Sequence, residues 1–99
     1  MSANIQVDRN RIADFCRRHH IRRLALFGSV LGDDFRPDSD VDVLVEFERD
    51  FPVGYLTFAG IARELSELLG RPADVHTWAA LKPRIRQAVE GTAEMLYAA

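Results

Sequence analysis

The seven residues VDVLVEF, at positions 41–47, constrain the fold more than any other stretch of the chain. Their β-branched and aromatic side chains predict a β-strand. Successive side chains of a strand point to opposite faces of a sheet, so one face receives an apolar set: Val41, Val43, Val45 and Phe47. The opposite face receives Asp40, Asp42, Leu44 and Glu46. We therefore predict that one face of this strand packs in the core and that the other forms a site.

Asp40 and Asp42 point in the same direction on this strand, about 6 to 7 Å apart along the backbone. Their oxygens are the ligands that hard cations need. Asp42 lies among strand-forming residues, where a charge lowers stability unless it is paired, exposed or bound to a metal. A plainer interpretation is that residues 38–40 form a solvated turn, because Asp and Ser are common in turns.

A glycine and a serine follow the short apolar run LALF at positions 24–27. The run predicts a buried strand, and Gly28 would let the backbone approach a ligand closely. A helix beginning at Ser29 would direct free N–H groups and the positive end of its dipole towards a phosphate. On its own, this pair could be only a corner between a strand and a helix. Together with the two aspartates, it favours an enzyme that transfers a phosphorylated group, which needs a phosphate-binding turn and carboxylates for a metal.

The segment Gly28-Ser29, followed by ten residues and then Asp40-Val41-Asp42, resembles the signature of the polymerase-β-like nucleotidyltransferase superfamily. The similarity extends from about residue 21 to about residue 86. A chain of 99 residues resembles the minimal nucleotidyltransferases, the MntA-type antitoxins that are paired with HEPT-domain toxins. The resemblance implies an α/β fold, with a small mixed β-sheet flanked by helices, in a single domain that spans residues 1–99.

The resemblance also assigns roles to carboxylates. Asp40 and Asp42, with Asp74 as the third carboxylate, would hold two Mg²⁺ ions. Asp74 is also the candidate either for the general base or for holding the metal that activates the acceptor hydroxyl. Without the resemblance, Asp74 is equally a polar residue at the end of a short strand. His76 and Trp78 replace small or aliphatic residues of the family; either could border the base pocket, and His76 could equally be a surface residue.

The loop after the first strand is expected to bind the nucleotide. By resemblance, Gly28 and Ser29 would contact the distal phosphates of ATP, and Arg36 and Ser39 complete the expected nucleotide-binding set. Many relatives carry an Ala-Arg-Gly run where this chain has Leu-Gly-Asp at residues 31–33. A basic contact is therefore missing there, and Arg36 is the candidate to supply positive charge from the same loop.

The N-terminal part of the chain predicts an amphipathic helix. Asp8 is a suitable N-cap, and Ile12, Phe15 and Cys16 form an apolar stripe at helical spacing. The helix should end near the two histidines at 19–20, which lack the neighbouring ligands that a zinc site needs. Cys16 is the only cysteine and cannot form an internal disulfide, which fits a reducing cytoplasm. We predict that Cys16 is a small buried residue.

The second half of the chain predicts a helix, a strand and a further helix. Apolar residues recur at helical spacing over residues 55–69, and Gly70 follows the helix end. Residues 73–77 predict a short third strand, and a proline in the first turn suits a last helix over residues 83–90. Residues 95–97 predict an apolar tail that packs back on the domain or covers a partner. Three apolar side chains of the second helix are expected in the core: Tyr55, Phe58 and Leu65.

Charge and hydropathy argue against several classes of protein. The net charge of −2 argues against a nucleic-acid binder that works through bulk electrostatics. No run approaches the roughly 18 apolar residues of a membrane span, and the N-terminus lacks an apolar signal segment, so we expect a cytoplasmic protein. Residues 33–50 carry eight acids against two arginines, which leaves the rest of the chain with +4. Six arginines predict a solvated helix face in preference to a docking patch for an acidic protein: Arg9, Arg11, Arg17, Arg18, Arg22 and Arg23.

The motif and the resemblance together indicate a Mg²⁺-dependent nucleotidyltransferase. The resemblance implies that it transfers AMP from ATP to a tyrosine hydroxyl of a cognate HEPT-domain toxin, with which it forms a hetero-oligomer, and so acts as an antitoxin. The main alternative is a binding protein, an antitoxin of the same fold that silences its partner by occlusion. A third hypothesis, an RNA-directed nucleotidyltransferase, is disfavoured by the acidic balance and by the lack of an accessory domain.

Overall fold

The computed structural model describes residues 5, 7–28, 32, 40–51 and 53–99. Three α-helices and four β-strands lie in these parts of the chain. In chain order they are α1 (Arg9–Arg18), β1 (Ile21–Phe27), β2 (Val41–Phe47), α2 (Tyr55–Leu69), β3 (Ala73–Thr77), α3 (Pro83–Thr92) and β4 (Glu94–Ala98). One turn of 3₁₀-helix, Trp78–Ala80, follows β3. The predicted bounds of β2, α2 and β3 are confirmed.

The four strands form one mixed sheet in the order β3-β2-β1-β4. Strand β1 pairs antiparallel with β2 and with β4, whereas β2 pairs parallel with β3. Helix α2 provides the crossover between the two parallel strands, which a tight hairpin turn cannot connect. The predicted α/β fold, a small mixed sheet flanked by helices, is confirmed.

The ends of the helices follow from local sequence. The Asp8 side chain accepts hydrogen bonds of 3.0 and 3.2 Å from two N–H groups in the first turn of α1, as predicted for an N-cap. Gly70 ends α2 in the left-handed conformation, with a φ of 71°. Helix α3 continues through Gly91 to Thr92, beyond the predicted end, because a glycine weakens a helix without breaking its hydrogen bonds. Among the described residues, no helix has the length and apolar character to cross a membrane.

The main core lies between one face of the sheet and helices α1 and α2. The predicted stripe of α1 is buried, and α2 adds Ile61, Leu65 and Leu69. The strand β2 contributes the three valines that were expected on its core face. Burial raises the pKa of the Cys16 thiol to about 12, and the predicted burial of this residue is confirmed.

The opposite face of the sheet carries a second, smaller core, which corrects the prediction that it forms only a site. Leu44 is fully buried there and packs with Ala25, Trp78 and Val89. The cluster forms because the 3₁₀ turn and α3 fold back over this face of β1 and β2. The guanidinium of Arg23 lies 4.3 Å from the centre of the Trp78 ring. The aspartates of β2 therefore share their face with apolar packing.

One strand is longer than predicted, and another was not predicted as a strand. Strand β1 begins at Ile21 and not at Leu24, because its charged residues are paired across the sheet: Arg23 Nε lies 2.8 Å from a carboxylate oxygen of Glu46. Residues 95–97, predicted as an apolar tail, lie within β4 and pair with β1. The alternative that the tail packs back on the domain is therefore correct.

Tyr55 contradicts the core prediction for α2. Its side chain is 91% exposed, whereas Leu65 is fully buried and Phe58 packs against the core, as predicted. Tyr55 is the first residue of α2, and the buried side of this helix is presented further along, by residues 61–69. Apolar character alone therefore overestimated how far the core extends towards the start of the helix.

The six arginines that were predicted to form a solvated helix face are largely paired with acidic residues of the same chain. Five of them form ion pairs of 2.6 to 4.0 Å with acidic side chains: Arg9 with Glu94, Arg17 with Asp14, Arg18 with Glu64, and Arg22 and Arg23 with Glu46. These partners neutralise much of the positive charge, which favours the interpretation of a solvated face.

Candidate active site

Strands β2 and β3 bring two of the predicted site aspartates side by side. In their parallel pairing, Asp42 lies opposite Asp74, and Leu44 lies opposite His76. Since side chains alternate along a strand, Asp42, Asp74 and His76 lie on the same face of the sheet. Asp40 immediately precedes β2 and is exposed. The pairing of two strands that begin 32 residues apart in sequence thus assembles a carboxylate cluster.

The cluster has the dimensions of a metal site. One ligand atom from each of Asp42, Asp74 and His76 lies within 4.8 Å of the others. His76 Nε2 is 3.1 Å from Asp74 Oδ2, and these two side chains are 38% and 56% exposed, respectively. Asp42 is half-buried. The cluster is therefore anchored on the β2 side and open to solvent on the β3 side.

Gly28, at the end of β1, lies against this cluster. Its φ is +78°, in the left-handed region that favours glycine. Its neighbour Phe27 pairs with Asp42, and a Cβ atom at position 28 would overlap Asp42 Oδ2. The sequence predicted that this glycine lets the backbone approach a ligand. In the described residues, the close approach is to the Asp42 carboxylate.

The surroundings of Asp42 disfavour its negative charge. Burial raises the pKa of Asp42, and the Asp74 and Asp40 carboxylates raise it further, while His76 acts in the opposite direction. A bound cation would supply the opposite charge that this site lacks. The oxygen donors and the disfavoured charge together fit a divalent metal ion.

Three members of the predicted nucleotide-binding set, Ser29, Arg36 and Ser39, lie outside the described residues. Of that set, the structure describes Gly28. The structure also places His76 in the carboxylate cluster. The sequence had predicted only that His76 lies beside a base pocket or on the surface. The signal for His76 was its spacing of two from Asp74 within a strand, which puts both side chains on one face.

A family model described as a nucleotidyltransferase domain matches residues 9–94, which contain all three aspartates. The chain belongs to this family. The resemblance drawn from the Gly-Ser and paired-aspartate motif is thereby confirmed, as is the prediction of an enzyme of the nucleotidyltransferase type. The protein adenylyltransferase MntA of Thermococcus cleftensis is 36% identical over 72 residues, which cover 73% of this chain and 71% of that protein.

Solved structures share the fold of this nucleotidyltransferase. A crystal structure of a toxin–antitoxin with AMP-PNP matches with a TM-score of 0.74 at 19% identity, over 94% of this chain and 75% of the other. A structure of a tri-AMPylated HEPN toxin of Shewanella oneidensis in complex with an MNT antitoxin matches with a TM-score of 0.65 at 18% identity, over 92% and 70% of the two chains. At these identities the likeness establishes the fold.

Proposed function

We propose that this nucleotidyltransferase transfers AMP from ATP to a tyrosine hydroxyl of a cognate HEPT-type toxin and so acts as its antitoxin. The observation that carries the proposal is the pairing of Asp42 with Asp74 across β2 and β3, directly beside Gly28. The similarity to MntA, named as a protein adenylyltransferase, supports the reaction type. The similar fold of an antitoxin in complex with an AMPylated toxin supports the choice of partner.

In this proposal, Asp40, Asp42 and Asp74 would hold two Mg²⁺ ions. When bound, the ions neutralise charge on the triphosphate and lower the pKa of the acceptor hydroxyl. Asp42 is half-buried and held between neighbouring strands, so it is suited to fix the position of the triphosphate. Gly28 would bind the phosphates together with Ser29, Arg36 and Ser39, as the resemblance to the family implies.

Asp74 is suited to act on the acceptor, because its side chain is the more exposed of the pair and can be reached by a hydroxyl of another protein. The acceptor oxygen forms a bond to the α-phosphorus of ATP, and the bond from this phosphorus to the bridging oxygen breaks. Pyrophosphate leaves, and the proton of the hydroxyl passes to the Asp74 carboxylate.

The test is to incubate the chain with the protein encoded beside it, ATP and Mg²⁺, and to weigh that protein by intact-mass spectrometry. We expect the partner to gain about 329 Da for each AMP, as transfer with loss of pyrophosphate requires. Asp74→Asn keeps the size of the side chain and should slow transfer by about 10² to 10⁴-fold, the usual contribution of a general base. Asp50→Asn removes an exposed carboxylate outside the cluster and should transfer at the wild-type rate.

The alternative function is neutralisation by occlusion without chemistry. It is favoured by the Leu-Gly-Asp sequence at residues 31–33, where the resemblance to the family implies a basic residue. In that case the wild-type chain would inhibit its partner while leaving the partner's mass unchanged with every nucleoside triphosphate. Asp74→Asn would then inhibit as well as the wild type.

A further inference from the structure

We propose that His76 is a metal ligand of this site, and that it gives the site a higher affinity for a borderline divalent ion such as Co²⁺ or Zn²⁺ than the carboxylates alone would give. The inference rests on the proposed function in that it uses the same carboxylates, Asp42 and Asp74. It adds a nitrogen ligand and a choice of metal.

The register of the sheet places the three ligands together. Asp42 and Asp74 are opposite one another, and His76 follows Asp74 by two residues, on the same face. Ligand atoms bound to one divalent ion at about 2.0 to 2.2 Å lie at most about 4.4 Å apart. The candidate ligand atoms lie within 4.8 Å of one another, so small rotations of the partly exposed side chains of Asp74 and His76 would complete the site.

The imidazole of His76 is already oriented towards this position. Its Nε2 atom lies 3.1 Å from Asp74 Oδ2. The imidazole also contacts the Phe27 ring edge to face, with ring centres 5.6 Å apart. The ring therefore packs against Phe27 while its Nε2 atom is directed into the carboxylate cluster.

The chemistry of this donor set distinguishes between metals. Mg²⁺ prefers six oxygen ligands in octahedral geometry, and an imidazole in its coordination sphere contributes little. Imidazole suits later transition metals, for which affinity rises from Mn²⁺ through Co²⁺ to Cu²⁺. Two carboxylates and one imidazole therefore bind Co²⁺ or Zn²⁺ better than carboxylates alone do, while binding of Mg²⁺ depends on the carboxylates.

The test compares tag-free wild type with His76→Val, since valine favours strands and offers no ligand atom. Calorimetric titration should show that His76→Val loses at least about tenfold in Co²⁺ affinity, the scale of effect seen on losing a partner in a metal site. Its Mg²⁺ affinity should stay close to that of wild type. In proton NMR of the Co²⁺-loaded wild type, a hyperfine-shifted, exchangeable imidazole N–H signal is expected, and it should be absent from the variant.

Two further variants keep the test decisive. His20→Asn removes a histidine outside the cluster, at a positive φ that asparagine tolerates, and should retain both Co²⁺ affinity and the shifted signal. If His76→Val does not fold, His76→Phe keeps a ring against Phe27 without a ligand atom and should give the same loss. Unchanged Co²⁺ affinity or a retained imidazole signal in a folded His76 variant would overturn the proposal.

The outcome is separable from that of the proposed function. His76-dependent Co²⁺ binding without AMP transfer in any metal would refute the adenylyltransferase function and leave this site in place. AMP transfer, together with Co²⁺ binding that does not depend on His76, would refute this site and leave the function in place.

Discussion

Gly28 and Gly70 have nearly the same backbone conformation but different surroundings. Both adopt a positive φ, of 78° and 71°, respectively. Among the described residues, a Cβ atom at Gly70 would meet no heavy atom within 4 Å beyond its own stretch of chain, whereas a Cβ atom at Gly28 would overlap the carboxylate of Asp42. The two glycines therefore allow the cost of backbone strain to be separated from the cost of crowding the site.

We expect Gly28→Ala to lower the free energy of unfolding more than Gly70→Ala does, as measured by urea denaturation. In both variants, the strain of an alanine at left-handed φ should lower the free energy of unfolding by about 1 to 2 kcal/mol. Gly28→Ala should lose more and should also weaken ATP binding in Mg²⁺, because Asp42 must move. Equal losses and equal ATP affinities would show that the contact does not hold the carboxylate in place.

The sequence predicted the carboxylates of the candidate cluster better than its histidine. Asp40 and Asp42 could be predicted because both lie within one stretch whose strand period was evident. Asp74 was assigned only through family resemblance, and His76 was placed only beside a base pocket or on the surface. Its proximity to Asp42 depends on which strands pair and in what register, and long-range pairing of this kind is not written in local periodicity.

At the level of elements, predictions succeeded where turn residues mark the ends. Helix α2 lies between two glycines, at 54 and 70, and its bounds were predicted correctly. Strand β4 was not predicted, because its sequence gives a weak strand signal. It has only five residues, begins with a glutamate and shows little alternation of apolar and polar side chains. It forms because β1 offers it a free edge, and its inward residue Leu96 is then buried in the main core.

The alternation of β4 gives a matched pair of variants. Leu96 is 6% exposed and packs in the main core, whereas its neighbour Met95 is 40% exposed. We expect Leu96→Ala to lower the free energy of unfolding by about 2 to 5 kcal/mol, the range for a buried leucine. Met95→Ala should cost about 0.5 kcal/mol or less, as for a surface position. Similar values in urea denaturation would mean that residues 94–98 behave as a loose tail and not as a strand of the sheet.

For the molecule as a whole, the carboxylate cluster lowers stability when no metal is bound. Burial of Asp42 and the nearby Asp74 charge raise the pKa of Asp42 in the folded state above its ordinary value of 3.8. A carboxyl group whose pKa is raised on folding costs stability in its ionised form. The cost is full at a pH above the raised pKa and vanishes below the unfolded value. Functional sites commonly carry such costs in exchange for ligand binding.

The corresponding prediction compares wild type with Asp42→Asn in EDTA by thermal unfolding. Asparagine keeps the shape of the side chain without its charge, so we expect Asp42→Asn to be the more stable protein at pH 7. The difference should shrink as the pH falls through the raised pKa of Asp42 towards 3.8, because the wild-type carboxylate then becomes neutral as well. Asp50→Asn, at an exposed turn, should match wild type throughout.

Adding Mg²⁺ should then reverse the order of the two proteins. A ligand that binds only the folded state, present at a concentration 100 times its dissociation constant, stabilises that state by about 2.7 kcal/mol. Asp42→Asn should be stabilised much less, because it lacks the negatively charged carboxylate that binds the ion. If Asp42→Asn is instead the less stable protein in EDTA, the carboxylate makes a net favourable contact in the metal-free fold. If Mg²⁺ stabilises both proteins equally, Asp42 is not among the residues that hold the ion, and the metal role of the β2–β3 pair would have to be abandoned.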